Sequence, residues 1–257
     1  NVSGVGTIAT LNVTGNATID GNANIGGVLT YEDVTNVDSV GIVTARGLSI
    51  FGNTTGLRAT GVSTFTSDVT VNSVAVGKGA NSVATNTVLG VNALDAAVTG
   101  TNNTAVGNQA LTLNTSGTEN TSVGSETLEA NTTGQRNTAV GYRALEDNVT
   151  GNYNTAVGAY ALPENTTGNH NVAIGRNALR YATTADQNTA VGGLALDGTT
   201  TGNNNVAVGY YALKANTTAA ENTAVGAYSL DANTTGTPNT AIGYNSLTSN
   251  TTGGSNT

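Results

Sequence analysis

His170 is the first residue to weigh for chemistry, because imidazole is the side chain that changes charge near neutral pH and most often moves protons or holds metals. It is the only histidine in the chain. A catalytic triad needs a nucleophile and an acid arranged around that imidazole, and a metal centre needs further ligands. His170 sits instead in the run Gly168-Asn169-His170-Asn171, at a place where other repeats carry Arg136, Tyr153 or Asn204. There is no cysteine, hence no disulfide framework and no thiolate site. The adjacent carboxylates Glu32-Asp33 and Glu146-Asp147 would point to opposite faces of a strand, whereas acid–base work needs two carboxylates converging on one cleft. Gly21 to Gly27 lacks the lysine and the strand–helix setting of a phosphate loop, and the calcium-binding nonapeptide pattern does not occur. These residues predict no catalytic constellation, no cofactor and no metal: the chain reads as something other than an enzyme.

Tyrosines are the remaining candidates. Tyr142, Tyr160, Tyr210, Tyr211, Tyr228 and Tyr244 fall at two variable positions of a repeat. Stacking the repeats would line them up as a stripe, roughly 5 Å apart per coil. Such a stripe can bind the faces of sugar rings, cap a rod, or pack against a neighbouring chain. Host-surface glycan or receptor contact is the functional expectation for these six.

What positions them is a repeat. Glycines recur at Gly90, Gly107, Gly124 and onward to Gly243, every 17 residues through ten copies without insertion or deletion. One unit runs from Asn137-Thr-Ala-Val-Gly141 through Ala144-Leu145 to Gly151-Asn-Tyr153. An opening Asn is present in all ten, and so is the Leu after the second small residue. The Thr-Ala-Val segment predicts a short β-branched strand. Its first and third residues are expected on one face with Val in the core beside Leu, and the small Ala on the other. The Gly requires either a positive φ or a close approach by another chain. Asn-Thr-Thr-Gly, as at Asn131 to Gly134, supplies a turn. Strand, corner, apolar pair and turn make one coil of a β-solenoid, and Asn at a fixed place in each coil predicts an amide ladder. Ten coils span roughly 48 Å. One Val and one Leu per coil is a thin core against the entropy of ordering the backbone, so association of chains through the Ala face is expected.

The fold class that follows is all-β: an elongated β-solenoid, a β-roll of 17-residue coils over 86–257, after an N-terminal β shaft over 1–71 and a junction over 72–85. The shaft rests on a six-residue beat at Val13-Thr-Gly15, Ile19-Asp-Gly21 and Ile25-Gly-Gly27. Tyr31 to Asp38 is the most acidic stretch and reads as a connector. The chain opens without Met and stops at Asn256-Thr257, two residues into an eleventh unit, as a segment of a longer array would.

Composition narrows the partners. Charged residues make up 9% and the net charge is −8, with no basic cluster, which excludes an ordinary nucleic-acid surface. No apolar run approaches the length of a membrane span, and no signal peptide is present. Low charge with abundant Val, Ile and Thr points to order by repetition.

The run Ser73-Val-Ala-Val-Gly77-Lys-Gly-Ala80 resembles the head repeat of YadA-type trimeric autotransporter adhesins, and the Asn-Thr-Ala-Val-Gly units extend that likeness over about 72–257. The resemblance implies a left-handed parallel β-roll, three chains to a head, and attachment to host surfaces. The family's usual repeat is shorter than 17 residues, and here the register departs from it. The stretch Gly27-Val-Leu-Thr-Tyr-Glu-Asp-Val34 through Gly41-Ile-Val-Thr-Ala45, with Gly61-Val-Ser-Thr-Phe65, is similar to fibre and structural proteins of tailed phages of marine cyanobacteria. Arrays of Asn-Thr-Ala-Val-Gly also occur in those phage proteins. Together the two favour a homotrimeric virion fibre that projects a receptor-binding tip, placed on a virion appendage or an extracellular surface. The alternatives are a bacterial trimeric adhesin and, from another class, an ice-binding solenoid using the Thr-Thr pairs, whose regularity is broken at Ala182 and Ala219-Ala220.

Overall fold

The structure, a computed structural model, describes residues 69–96 and 98–257, all within one compact unit, Gly61–Thr257. The expected shaft over 1–71 lies outside the described residues except for its last three. The described chain opens with β1 (Val69–Val71) and β2 (Val74–Gly77), an antiparallel pair, followed by a short 3₁₀ turn at Ala80–Ser82. From β3 (Thr87–Gly90) and β4 (Thr104–Val106) to β12 (Thr240–Ile242), each 17-residue coil contributes one strand. All twelve strands form a single sheet in chain order. Pairing is parallel and in register from β3 onward: Thr104 faces Thr121, Thr138 faces Thr155, Ala207 faces Ala224. At the other end β2 lies antiparallel on β3, with Val76 opposite Leu89. The junction therefore covers the first coil's edge instead of adding another coil, the role of a capping unit in a solenoid.

Three residues of strand in 17 leave most of each coil without regular structure, yet its backbone bonds still run coil to coil. Gly158 N–H donates to Val140 C=O at 2.8 Å, Tyr160 to Tyr142 at 2.9 Å, Leu162 to Ala178 at 2.9 Å, and Thr150 to Thr166 at 3.1 Å. Buried backbone groups need such partners, and the fixed period supplies many of them, with others closed inside the coil, as Asn148 N–H is by Leu145 C=O at 3.3 Å.

The direction of the strand corrects one expectation. Ala105, Ala139, Ala156, Ala173, Ala190, Ala207 and Ala224 are fully buried, and the Thr and Val on either side of each face outward, half-buried or exposed. The core is one Leu and two Ala per coil, as in Ala139, Ala144 and Leu145. Each Leu already spans the narrow gap between the strand and the opposite wall, so the strand residue facing it is small in most coils. The end coil is the exception, with buried Val88 in the alanine place. Where polar residues replace both alanines they do so as a pair: the hydroxyls of Ser122 and Thr127 meet at 2.5 Å inside the third coil. The Ala face is thus internal, and it cannot serve as a contact between chains.

Two amide ladders flank this core. Along the file an opening Asn accepts the next coil's Asn N–H on its Oδ1, as Asn137 does from Asn154 at 2.9 Å, and donates its amide to the carbonyl of the Gly or Ala that closes the turn of its own coil, as Asn137 does to Gly151 at 2.8 Å and Asn171 to Ala185 at 2.7 Å. The turn Asn makes a second file, Asn148 Nδ2 to Asn131 Oδ1 at 2.9 Å and Asn165 Nδ2 to Asn148 Oδ1 at 2.7 Å.

Candidate functional site

The tyrosines follow the glycine that ends each strand. Gly158 has φ 130°, and a Cβ placed on it would lie 2.8 Å from the carbonyl carbon of Gly175 in the next coil. Both reasons for glycine hold there at once, and the approaching backbone is the same chain one coil on. The backbone then turns outward, with the second corner residue in the left-handed region: Tyr160 at φ 54°, Tyr211 at 60°, Tyr228 at 58°. This outward turn places the corner side chains on the surface.

The structure brings the six tyrosines together in two groups rather than one stripe. Tyr142 and Tyr160 meet edge to face, ring centroids 5.3 Å apart and planes at 85°. Tyr210, Tyr211, Tyr228 and Tyr244 form the larger group: Tyr210 lies 4.1 Å from Tyr211 and 5.7 Å from Tyr228, and Tyr228 lies 6.1 Å from Tyr244. Arg176-Asn177 and Gly193-Leu194 occupy the corners between. Tyr210 and Tyr244 are 46% and 73% exposed, so their rings face solvent. The edge-to-face arrangement is the one that ring quadrupoles favour. The Tyr210 phenol is pushed up to about 12 by its hydrogen bond with Tyr211 and then by desolvation. Desolvation, followed by a hydrogen bond with Tyr160, raises the Tyr142 phenol. The Lys214 ammonium sits 4.3 Å from the centre of the Tyr211 ring, a cation–π contact at the edge of the larger group.

His170 lies on a different column, one position before the opening Asn. Its ring stacks flat on Tyr153, centroids 4.8 Å apart and planes 3° from parallel. The same column continues through Arg136, which bonds the Tyr153 hydroxyl and pairs with Glu119 at 2.7 Å. His170 is therefore one rung of an external ladder. Asn169, Asp186 and Gln187 share its groove, and the Asp186 carboxylate already accepts the Asn169 backbone N–H at 2.6 Å.

One cluster was missed in the sequence. Carboxylate oxygens of Glu126, Glu129 and Glu146 come within 4.8 Å of one another. The signal was the register: Glu129 and Glu146 share one position 17 residues apart, as do Glu126 and Arg143. Arg143 reaches Glu126 at 2.6 Å and Glu146 at 3.6 Å, and Gln109 donates to Glu129 at 3.1 Å. Burial raises the Glu146 carboxyl above its ordinary value against the pull of Arg143. The three acids already have an arginine and an amide as partners, which makes the group a clamp between coils.

The chain matches no protein-family model, no curated protein and no solved structure. Its own geometry therefore carries the functional reading. The Thr-Thr pairs are not a doubled hydroxyl array: the first Thr of each donates to the next coil's carbonyl, as Thr132 does to Val149 at 3.1 Å and Thr166 to Thr183 at 3.0 Å. Only the second Thr remains exposed in a single file. Among the described residues no helix is long and apolar enough to cross a membrane.

Proposed function

We propose that this chain is a structural segment of a homotrimeric fibre, of the kind a tailed phage carries on its virion, that projects a distal receptor-binding part. Its work is mechanical, with no reaction catalysed and no cofactor required. The observation that carries this reading is the parallel, in-register stack of ten coils whose backbone, amide and leucine columns all repeat at 17 residues. Such a stack is built for length. The tyrosines of the two groups are the proposed contacts with a host-surface glycan. The same architecture serves a bacterial trimeric adhesin, the reading that the likeness to adhesin heads favours.

The contact between chains belongs to the outward strand face. Thr104 and Val106, Thr138 and Val140, and Thr189 and Val191 put uncharged, half-buried side chains along it. Ile174 and Ile242 are 40% and 72% exposed on the same file. No charged residue occurs at either outward strand position in any of the ten coils, whereas the corner and turn columns carry Glu, Asp, Arg and Lys. A continuous β-branched file of this length suits burial against copies of itself. Val191→Glu puts a charge at its middle while leaving the internal Ala and Leu untouched. The expected result is a chain that keeps its β spectrum and loses the trimer in light scattering. A trimer unaffected by this change would place the interface elsewhere.

A further inference from the structure

Between the two tyrosine groups the corner carries a cationic groove. Tyr160, Arg176, Asn177 and Arg180 line it, and it encloses about 300 Å³. Arg176 is exposed, Arg180 is half-buried and Asn177 is buried. Arg180 is braced by its own neighbour, with its guanidinium carbon 4.7 Å from the centre of the Tyr181 ring. Asn177 is fixed by its backbone N–H on Ala159 C=O at 3.2 Å.

The two arginines differ from the others described. Arg136 and Arg143 are taken up by Glu119, Glu126 and Glu146. No ion pair joins Arg176 or Arg180 to a carboxylate among the described residues. Asp197 stands in the column of Arg180 one coil on, buried, and its Oδ1 has no hydrogen-bond partner. In a chain of net charge −8 with 16 acidic residues, two guanidinium groups without a close ion pair give this groove a positive character, partly offset at Arg180 by the Asp197 carboxylate, which feels its charge. Guanidinium forks bind carboxylate and sulfate oxygens in pairs, and a tyrosine ring offers an apolar face for a pyranose. The volume admits a single sugar ring and its acidic substituent.

We propose that this groove binds an anionic saccharide, a sugar bearing a carboxylate or a sulfate group. Arg176 and Arg180 hold the acidic group, and Tyr160 packs against the ring. The inference deepens the surface-contact part of the reading above by naming the class of glycan, and it does not depend on the number of chains.

The test uses the whole chain and measures retention on immobilised dextran sulfate, polygalacturonate and uncharged dextran, with a single-stranded DNA oligonucleotide as a non-saccharide polyanion. Light scattering on each sample reports the oligomer separately, so failure of the fibre reading and failure of this one are distinct. The wild-type chain is expected to bind dextran sulfate or polygalacturonate, whichever matches the natural acidic group, and to ignore uncharged dextran. Arg176→Gln with Arg180→Gln should weaken that binding at least about tenfold. Arg176→Gln alone, an exposed substitution, should weaken it in part. Arg136→Gln, which removes the same charge from another column, should leave it unchanged. The proposal is overturned if neither acidic saccharide binds, if binding survives the double substitution, if Arg136→Gln weakens it equally, or if the oligonucleotide binds as tightly as the saccharide.

Discussion

Asn165 shows how closely each side chain is tied to its copy one coil away. Its Nδ2 donates to Asn148 Oδ1, but its own Oδ1 is buried without a partner, because the next coil has Ala182 where the ladder calls for Asn. An unpaired buried acceptor costs about 1–3 kcal/mol. Ala182→Asn supplies the missing donor, and the hydroxyl of Thr199 one coil on can donate to the new Oδ1. Ala185 closes that coil in place of glycine, and the coexistence of Asn216 with Ala219, joined at 3.0 Å, shows that the turn accepts both. The substitution should raise the melting temperature by an amount equivalent to about 1 kcal/mol; an unchanged or lower melting temperature would contradict the ladder's role. The Tyr210 phenol is raised from 10.0 to about 12, so folding favours the neutral form. The contribution to stability is full below pH 10 and is lost as pH climbs toward 12. Absorbance titration should show Tyr210 ionising late, moved back toward 10 by Tyr211→Phe, which removes the leading cause. Ordinary titration of every tyrosine would refute the contact.

Each coil is held open by its glycine and closed by its leucine. Gly175 has φ 130°, and a Cβ there would sit 2.6 Å from the Gly192 carbonyl oxygen, fixed backbone that cannot move aside alone. Gly175→Ala should therefore lower stability by more than the ~1–3 kcal/mol of backbone strain, read as an earlier melt. A wild-type melt would mean that the stack is looser than its register implies. At this scale the sequence is informative about period and poor about direction. The glycines, the Asn ladder and the Leu column follow from residue type and spacing alone. Which face of Thr-Ala-Val turns inward does not, because spacing puts the middle residue on one face and its two neighbours on the other without saying which face meets the core. Hydrophobicity favours Val inside; the single leucine that fills each coil leaves room for Ala. The left-handed backbone at Leu145 and Leu162, φ 52° and 50°, also has no signal in the residue type, since leucine does not favour that region. The tyrosine positions were legible and their grouping was not, since it depends on Arg176-Asn177 and Gly193-Leu194 interrupting the file. The glutamate clamp and the arginine groove emerge only when positions 17 apart are read as neighbours.

For the molecule as a whole, one rule of register produces both its regularity and its surface. Every column repeats, so the inner ones become ladders of Asn, Ala and Leu, and the outer ones become files of Thr, Val, Tyr or paired charge. A core of one Leu and two small residues, Ala in most coils, leaves the β-branched outer file as a continuous uncharged surface still to be covered, and copies of the same chain are the occupants we propose for it. The mass in solution of residues 1–257, measured by light scattering after size exclusion, tests this most directly. The account predicts a particle near three times the chain mass of 25.5 kDa. A β-rich particle of one chain mass would contradict it, and would mean that the solenoid stands alone with its Thr and Val file open to water.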